Sequence, residues 1–194
     1  MITENPITKF NQWWKQALTN SPLKQKSAVC VSTIDENGYP SSRFVDLKAV
    51  NSEGFTFCTY RDSPKGNHLK LDAKVALTAW WDHMGLQVRV VGKAQNTSDE
   101  ISDCYWLQRS HSAQVATQCF EQSQPIASES TLRAQFEQAS EMYSHKPVPR
   151  PHNWGGITVS PKKIEFLTFQ QTRLHLREAF YLNNDSWEVT LLQP

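Results

Sequence analysis

Arg173, His175 and Arg177 stand two residues apart near the end of a 194-residue chain. On an extended strand, residues i, i+2 and i+4 share one face, so this spacing predicts two guanidinium groups and an imidazole projecting together. Such a trio suits an anionic ligand. Arginine offers paired hydrogen bonds to phosphate or carboxylate, and histidine can donate, accept or titrate near neutral pH. The same alternation also describes a solvated strand face.

Other segments carry smaller signals. Arg43-Phe44-Val45-Asp46-Leu47-Lys48 places a cation at each end of a strand-like run, on opposite faces unless a bulge intervenes. Ser63-Pro64-Lys65-Gly66 leads into a short helix, where free backbone N–H groups and a lysine make a seat for phosphate. Gln87 and Arg89 share a strand face, and an amide can both donate to and accept from the edge of a heterocycle. Tyr105 and Arg109 lie four apart, on one face of a helix expected to run to about Arg109. Gln122-Ser123-Gln124 precedes Pro125 and could cap a helix or meet an anion. Each segment alone also fits ordinary surface or packing chemistry.

These residues need a scaffold, and the pattern around them is mainly β. Phe10, Trp13, Trp14, Ala17 and Leu18 mark an N-terminal helix within residues 1–22. Short β-branched runs follow, at 28–34, 39–50, 55–60, 75–81 and 86–95, separated by turns such as Asp35-Glu36-Asn37-Gly38. Thr97-Ser98-Asp99-Glu100 is a capping-box signature opening a helix. Further helices are expected at 114–119 and 131–144, and a stiff proline-rich loop at 145–156. Strands at 157–160, 162–169, 172–182 and 187–192 close the chain. The helices do not alternate regularly with the strands, which disfavours a doubly wound sheet and predicts an antiparallel β-barrel with peripheral helices in one domain, 1–194. No GxGxxG or Walker loop is present.

Bulk properties narrow the function classes. A net charge of +1 gives no reason to expect nucleic acid or a membrane as a general partner, and 39% hydrophobic residues with 20% charged is ordinary globular composition. Cys30, Cys58, Cys104 and Cys119 show no CxxC spacing, and the polar start MITENPITKF is unlike a signal peptide, so the expectation is a cytoplasmic protein with reduced thiols. The six histidines form no HxH or HExxH pattern, so no metal site is expected.

In order along the chain, Arg43-x-x-x-Leu47-Lys48, Ser63-x-Lys65-Gly66, Gln87-Val88-Arg89-Val90, Tyr105-x-x-x-Arg109, Gln122-Ser123-Gln124 and Arg173-Leu174-His175-x-Arg177 resemble the pyridoxamine 5′-phosphate oxidase family, from about Ala28 to Pro194. The resemblance implies an FMN-binding split β-barrel, a homodimer with active sites at the subunit interface, and 157–194 as the strands that complete the barrel and the dimer site. It implies oxidation of pyridoxamine or pyridoxine 5′-phosphate to pyridoxal 5′-phosphate, with O2 as acceptor and hydrogen peroxide released. By the same resemblance Arg43, Phe44, Val45 and Asp46 would line FMN, Cys58 and Thr59 would contact the flavin, and Lys65 would hold its phosphate. Gln87 would meet the isoalloxazine edge, with Gln122, Ser123 and Arg177 completing the cofactor site. Lys48, Tyr105 and Arg109 would bind the vitamer's phosphate, while Arg173 and His175 would lie over its ring. Four positions depart from the family pattern. Pro64 stands in place of an arginine, Leu167 of a tryptophan and Leu176 of an aspartate, and Ala113 replaces a serine beside Ser112. They leave room for a relative that oxidises another small heterocycle, or for a protein that carries FMN or pyridoxal 5′-phosphate without turnover.

Overall fold

The computed structural model describes residues 5–194; the first four residues of the expected N-terminal helical segment lie outside them. The chain forms helix α1 (Pro6–Asn20), strands β1 (Ala28–Ile34), β2 (Pro40–Asn51) and β3 (Gly54–Tyr60), helix α2 (Pro64–Leu71), and strands β4 (Lys74–Trp81) and β5 (Leu86–Asn96). Helices α3 (Asp99–Leu107), α4 (His111–Cys119) and α5 (Glu129–Met142) follow, then strands β6 (Trp154–Thr168), β7 (Leu176–Asn183) and β8 (Ser186–Leu192). Contacts within the chain group into two compact units. The first holds residues up to Phe57, His68–Gln95 and Ile157–Pro194, and the second holds Cys58–Asn67 and Asn96–Gly156.

The first unit is built on one sheet in the order β3-β2-β1-β4-β5-β6-β7-β8, with β3 also paired to β6, which closes six strands into a barrel. Alternation sorts each strand. Val29, Val31, Leu47, Leu77, Ala79, Val88 and Val90 point inward and are buried. Across the outer face, Phe44 sits opposite Cys30, Cys30 opposite Thr78, and Thr78 opposite Arg89. One step along, Asp46 faces Ala28 and Trp80 faces Gln87. Gly54, at φ +135°, turns the chain into β3 where a Cβ would sit 2.0 Å from the Val159 carbonyl oxygen, so no larger residue fits. Helix α1 is started by the Asn5 side chain, which accepts from the Ile7 N–H at 2.8 Å. It buries Phe10 edge-on against Phe55, with ring centroids 4.8 Å apart.

The second unit has its own core of Tyr60, Trp106, Val115, Ala139, Val148 and Trp154. The proline-rich segment before β6 is tied down from within: Trp106 Nε1–H donates to the Val148 carbonyl at 2.9 Å, and Arg150 binds Asp103 at 2.5 Å, Asp99 at 3.1 Å and the Trp154 carbonyl at 2.7 Å.

Three expectations are corrected. The strands expected at 157–160 and 162–169 are one continuous strand, β6. Helix α3 ends at Leu107, so Arg109 lies in the bend before α4 and not on a helix face shared with Tyr105. Strand β7 starts at Leu176, not Thr172. Arg173 and His175 therefore lie in the connection before β7, and of the three only Arg177 belongs to the strand. The physical reason is Arg173 itself, whose φ of 66° is left-handed and incompatible with an extended strand.

Candidate active site

Lys65 is the focus of the second unit. Pro64 occupies the first position of α2, where its missing N–H costs nothing. The buried Ser63 hydroxyl accepts weakly from the Gly66 N–H at 3.4 Å and donates to the Tyr60 carbonyl at 2.7 Å. Lys65 follows in the first turn and is only 6% exposed. Its ammonium donates to Gln122 Oε1 at 2.8 Å, Thr59 Oγ1 at 2.9 Å and Ser63 Oγ at 3.2 Å. Thr59 also donates to Gln122 Oε1 at 3.1 Å. Three expected cofactor residues, Thr59, Lys65 and Gln122, thus meet in one cluster, and Ser63 joins them. Ser123 follows with a left-handed φ of 69°. Both line a cavity of about 500 Å3 with Phe120, Pro125 and Leu132. Cys58 packs against the second unit's core.

Tyr60 anchors the same region. Its hydroxyl lies on the carbonyls of Thr117 and Phe120, and burial pushes its pKa up to about 12. Arg109 donates to Thr117 Oγ1 at 2.8 Å and to the Ala113 carbonyl at 3.1 Å. Its guanidinium carbon stands 5.1 Å from the Trp154 ring centroid and 5.8 Å from that of Trp106. Tyr105 is partly buried against the same core.

In the first unit Arg43 is partly buried on β2. Its guanidinium donates to Thr33 Oγ1 at 2.7 Å, Ser41 Oγ at 2.9 Å and, more loosely, the Val31 carbonyl at 3.4 Å. Thr33 Oγ1 is also 2.9 Å from His68 Nδ1. Because arginine only donates, the threonine oxygen accepts from Arg43, and the same hydroxyl is in hydrogen-bond contact with His68 Nδ1. Burial lowers the Arg43 pKa. Among the described residues Arg43 meets neutral oxygens and no carboxylate, which leaves its charge available for an anion. Thr33 and His68 were not singled out in the sequence; contacts between residues 33, 43 and 68 leave no local pattern. Thr33→Val should lower stability by about 2 kcal/mol, since it takes a hydrogen-bond partner from both the Arg43 guanidinium and His68 Nδ1. A fall in melting temperature of about 5 °C is the readout.

Lys48 and Arg43 do lie on opposite faces. The β2–β3 register shifts between Leu47 and Ala49, so Lys48 is the bulged residue, and its ammonium lies 2.5 Å from Asp46 Oδ2 on the outer face. Phe44 projects outward and is 75% exposed, whereas Val45 packs against the core.

At the far side of the sheet, Glu165 is a buried carboxylate that the sequence reading passed over. Arg177 grips its Oε1 through Nη2 at 2.6 Å and Nε at 3.1 Å; Lys163 and Arg89 approach Oε2 at 3.3 and 3.7 Å. Burial alone would raise the Glu165 pKa, but hydrogen bonds from Arg177 and Lys163 and the nearby charges of Arg177 and Arg89 hold it below the usual carboxylate range.

His175 is fixed by its neighbours. Its Nδ1 accepts the Gln170 N–H at 3.1 Å, which puts the neutral ring's proton on Nε2. Its ring lies 4.8 Å from Phe169, and Phe169 lies 4.9 Å from Trp80, the cross-strand partner of Gln87. Arg173 is exposed in the same connection, its N–H bonded to the Gln170 carbonyl at 3.1 Å.

Each unit by itself carries a donor suited to a phosphate: the buried Lys65 ammonium in the second, and in the first the half-buried Arg43 guanidinium, which meets no carboxylate among the described residues. Residues 17–143 match the family model described as pyridoxamine 5′-phosphate oxidase. The chain belongs to the pyridoxamine 5′-phosphate oxidase family. Residues 154–194 match the model of the family's C-terminal dimerisation region. A relative from Trichormus variabilis, named pyridoxine/pyridoxamine 5′-phosphate oxidase, is 35% identical over all of this chain and 90% of its own length. PhzG from Burkholderia lata, solved with tetrahydrophenazine-1-carboxylic acid, is 26% identical and superposes with a TM-score of 0.91, covering 98% of this chain and 93% of its own. A pyridoxamine 5′-phosphate oxidase-related FMN-binding protein from Nostoc punctiforme shares the fold, with a TM-score of 0.78 at 17% identity over 95% of this chain and 97% of its own. The barrel of this chain and its family agree with the expectation from the sequence. Among the described residues no cluster of metal-ligating side chains occurs, and no helix is long and apolar enough to cross a membrane.

Proposed function

We propose that this family member oxidises pyridoxamine and pyridoxine 5′-phosphate to pyridoxal 5′-phosphate with FMN as cofactor and O2 as acceptor, working as a cytoplasmic homodimer. The observation that carries the reading is Lys65, a buried ammonium held by Thr59, Ser63 and Gln122 within the family's phosphate-loop motif. Bound FMN would supply the two-electron acceptor. Lys65 and Arg43 would hold its phosphate, with Phe44, Val45, Asp46, Cys58, Thr59, Gln122 and Ser123 lining the cofactor, Gln87 meeting the ring edge and Arg177 also contacting FMN. On the substrate side Lys48, Tyr105 and Arg109 would take the vitamer's phosphate. Arg173 and His175 would orient its ring, His175 through the Nε2–H that remains when Nδ1 accepts from Gln170. For the amine, substrate, O2 and water give pyridoxal 5′-phosphate, ammonia and hydrogen peroxide.

The purified protein with saturating FMN and pyridoxamine 5′-phosphate should form pyridoxal 5′-phosphate, seen as a Schiff base on adding an amine. No such product at saturating FMN would end this reading. A second reading, oxidation of another small reduced heterocycle, draws support from the similarity to PhzG and from Leu167 and Leu176. It predicts peroxide from such a compound and none from the vitamer.

A further inference from the structure

Resting on the reading that Lys48 meets the substrate's phosphate, we propose that Asp46 sets the charge selectivity of that subsite by occupying Lys48 and weakening the discrimination in favour of a phosphate dianion. Two residues apart on β2, Asp46 and Lys48 share the outer face, and the two close to 2.5 Å beside the register shift between Leu47 and Ala49. Among the described residues Asp46 is the partner recorded for the Lys48 ammonium. Both remain accessible, Asp46 at 49% and Lys48 at 29% side-chain exposure, so an incoming ligand meets the pair and not a lone cation. The pair sums to zero charge. A phosphate monoester carries about −1.5 to −2 at neutral pH and would approach with the Asp46 carboxylate beside it. Affinity gained from Lys48 is offset by repulsion from Asp46, whereas an uncharged ring substituent feels neither. Asp46 thus favours ring compounds with a neutral or singly charged arm relative to what Lys48 alone would select.

The test uses the FMN-loaded protein and follows the flavin absorbance on titration with pyridoxal 5′-phosphate and, separately, pyridoxal. Asp46→Asn keeps the side-chain shape and removes the charge. The ratio of the two affinities should shift about tenfold toward the phosphorylated ligand, with a steeper loss on adding salt. Lys48→Met should then cost more pyridoxal 5′-phosphate affinity in the Asp46→Asn background than in the wild type, a coupling that a general packing defect would not produce. An unchanged ratio with pyridoxal 5′-phosphate still bound would overturn the role of Asp46 alone. Failure of the wild type and Asp46→Asn alike to bind pyridoxal 5′-phosphate would overturn the B6 reading and this inference with it.

Discussion

Lys65→Met is expected to weaken FMN binding by about thirtyfold while leaving the fold intact. The methionine keeps most of the apolar stem and deletes the ammonium that Thr59, Ser63 and Gln122 hold in place. A hydrogen bond to a charged group contributes about 1.5–3 kcal/mol, and about 1.4 kcal/mol is tenfold in affinity. Stability should move little or rise, because Lys65 is buried and an apolar side chain of similar size avoids the cost of dehydrating a charge. Flavin fluorescence titration and thermal unfolding together check this. A melting temperature that collapses along with FMN affinity would mean the lysine is structural and not a phosphate holder.

Glu165→Gln should have the largest effect on stability. The carboxylate is 4% exposed and faces Arg177, Lys163 and Arg89. Removing its charge leaves three cations against a neutral amide. Breaking a buried pair from one side costs about 3 kcal/mol, or about 10 °C in melting temperature for a chain of this size. The pH dependence has a defined sign. The folded-state pKa of Glu165 lies below its unfolded value, so its stabilisation is fully present above the ordinary carboxylate range and is lost as pH falls through the lower folded value. The gap between wild type and Glu165→Gln should therefore be wide at neutral pH and narrow below about pH 4. A gap that stays constant down to strong acid would show that the carboxylate's charge is not what stabilises β6 and β7.

The barrel strands were legible because one inward face alternates with one outward face, and turn residues such as Asp35 to Gly38 punctuate them. The end of that legibility is instructive at Thr172 to Arg177. Alternation continues through the segment and no glycine or proline marks a turn, yet Arg173 takes a left-handed conformation and the strand begins only at Leu176. The three residues that looked like one face divide into two in the connection before β7 and one on the strand. At Arg109 the helix start was visible in its cap, but the stop had no glycine. The available signal was Ser110, whose side chain accepts from Ala113 N–H and starts α4. The Asp46–Lys48 pair follows from i, i+2 spacing and was readable. The Arg43–Thr33–His68 contacts and the approach of Arg89 and Arg177 to Glu165 join different elements, and no local periodicity reports such contacts; only Lys163 lies at i, i+2 spacing from Glu165 on β6.

The most direct measurement of the proposed chemistry is anaerobic mixing of the FMN-loaded protein with pyridoxamine 5′-phosphate, followed by admission of air. The visible flavin absorbance should bleach without oxygen and return with it, one equivalent each of pyridoxal 5′-phosphate and hydrogen peroxide appearing per bleached flavin. Flavin that binds tightly but keeps its full absorbance in the presence of the vitamer would show that the phosphate seat at Lys65 serves another substrate or none.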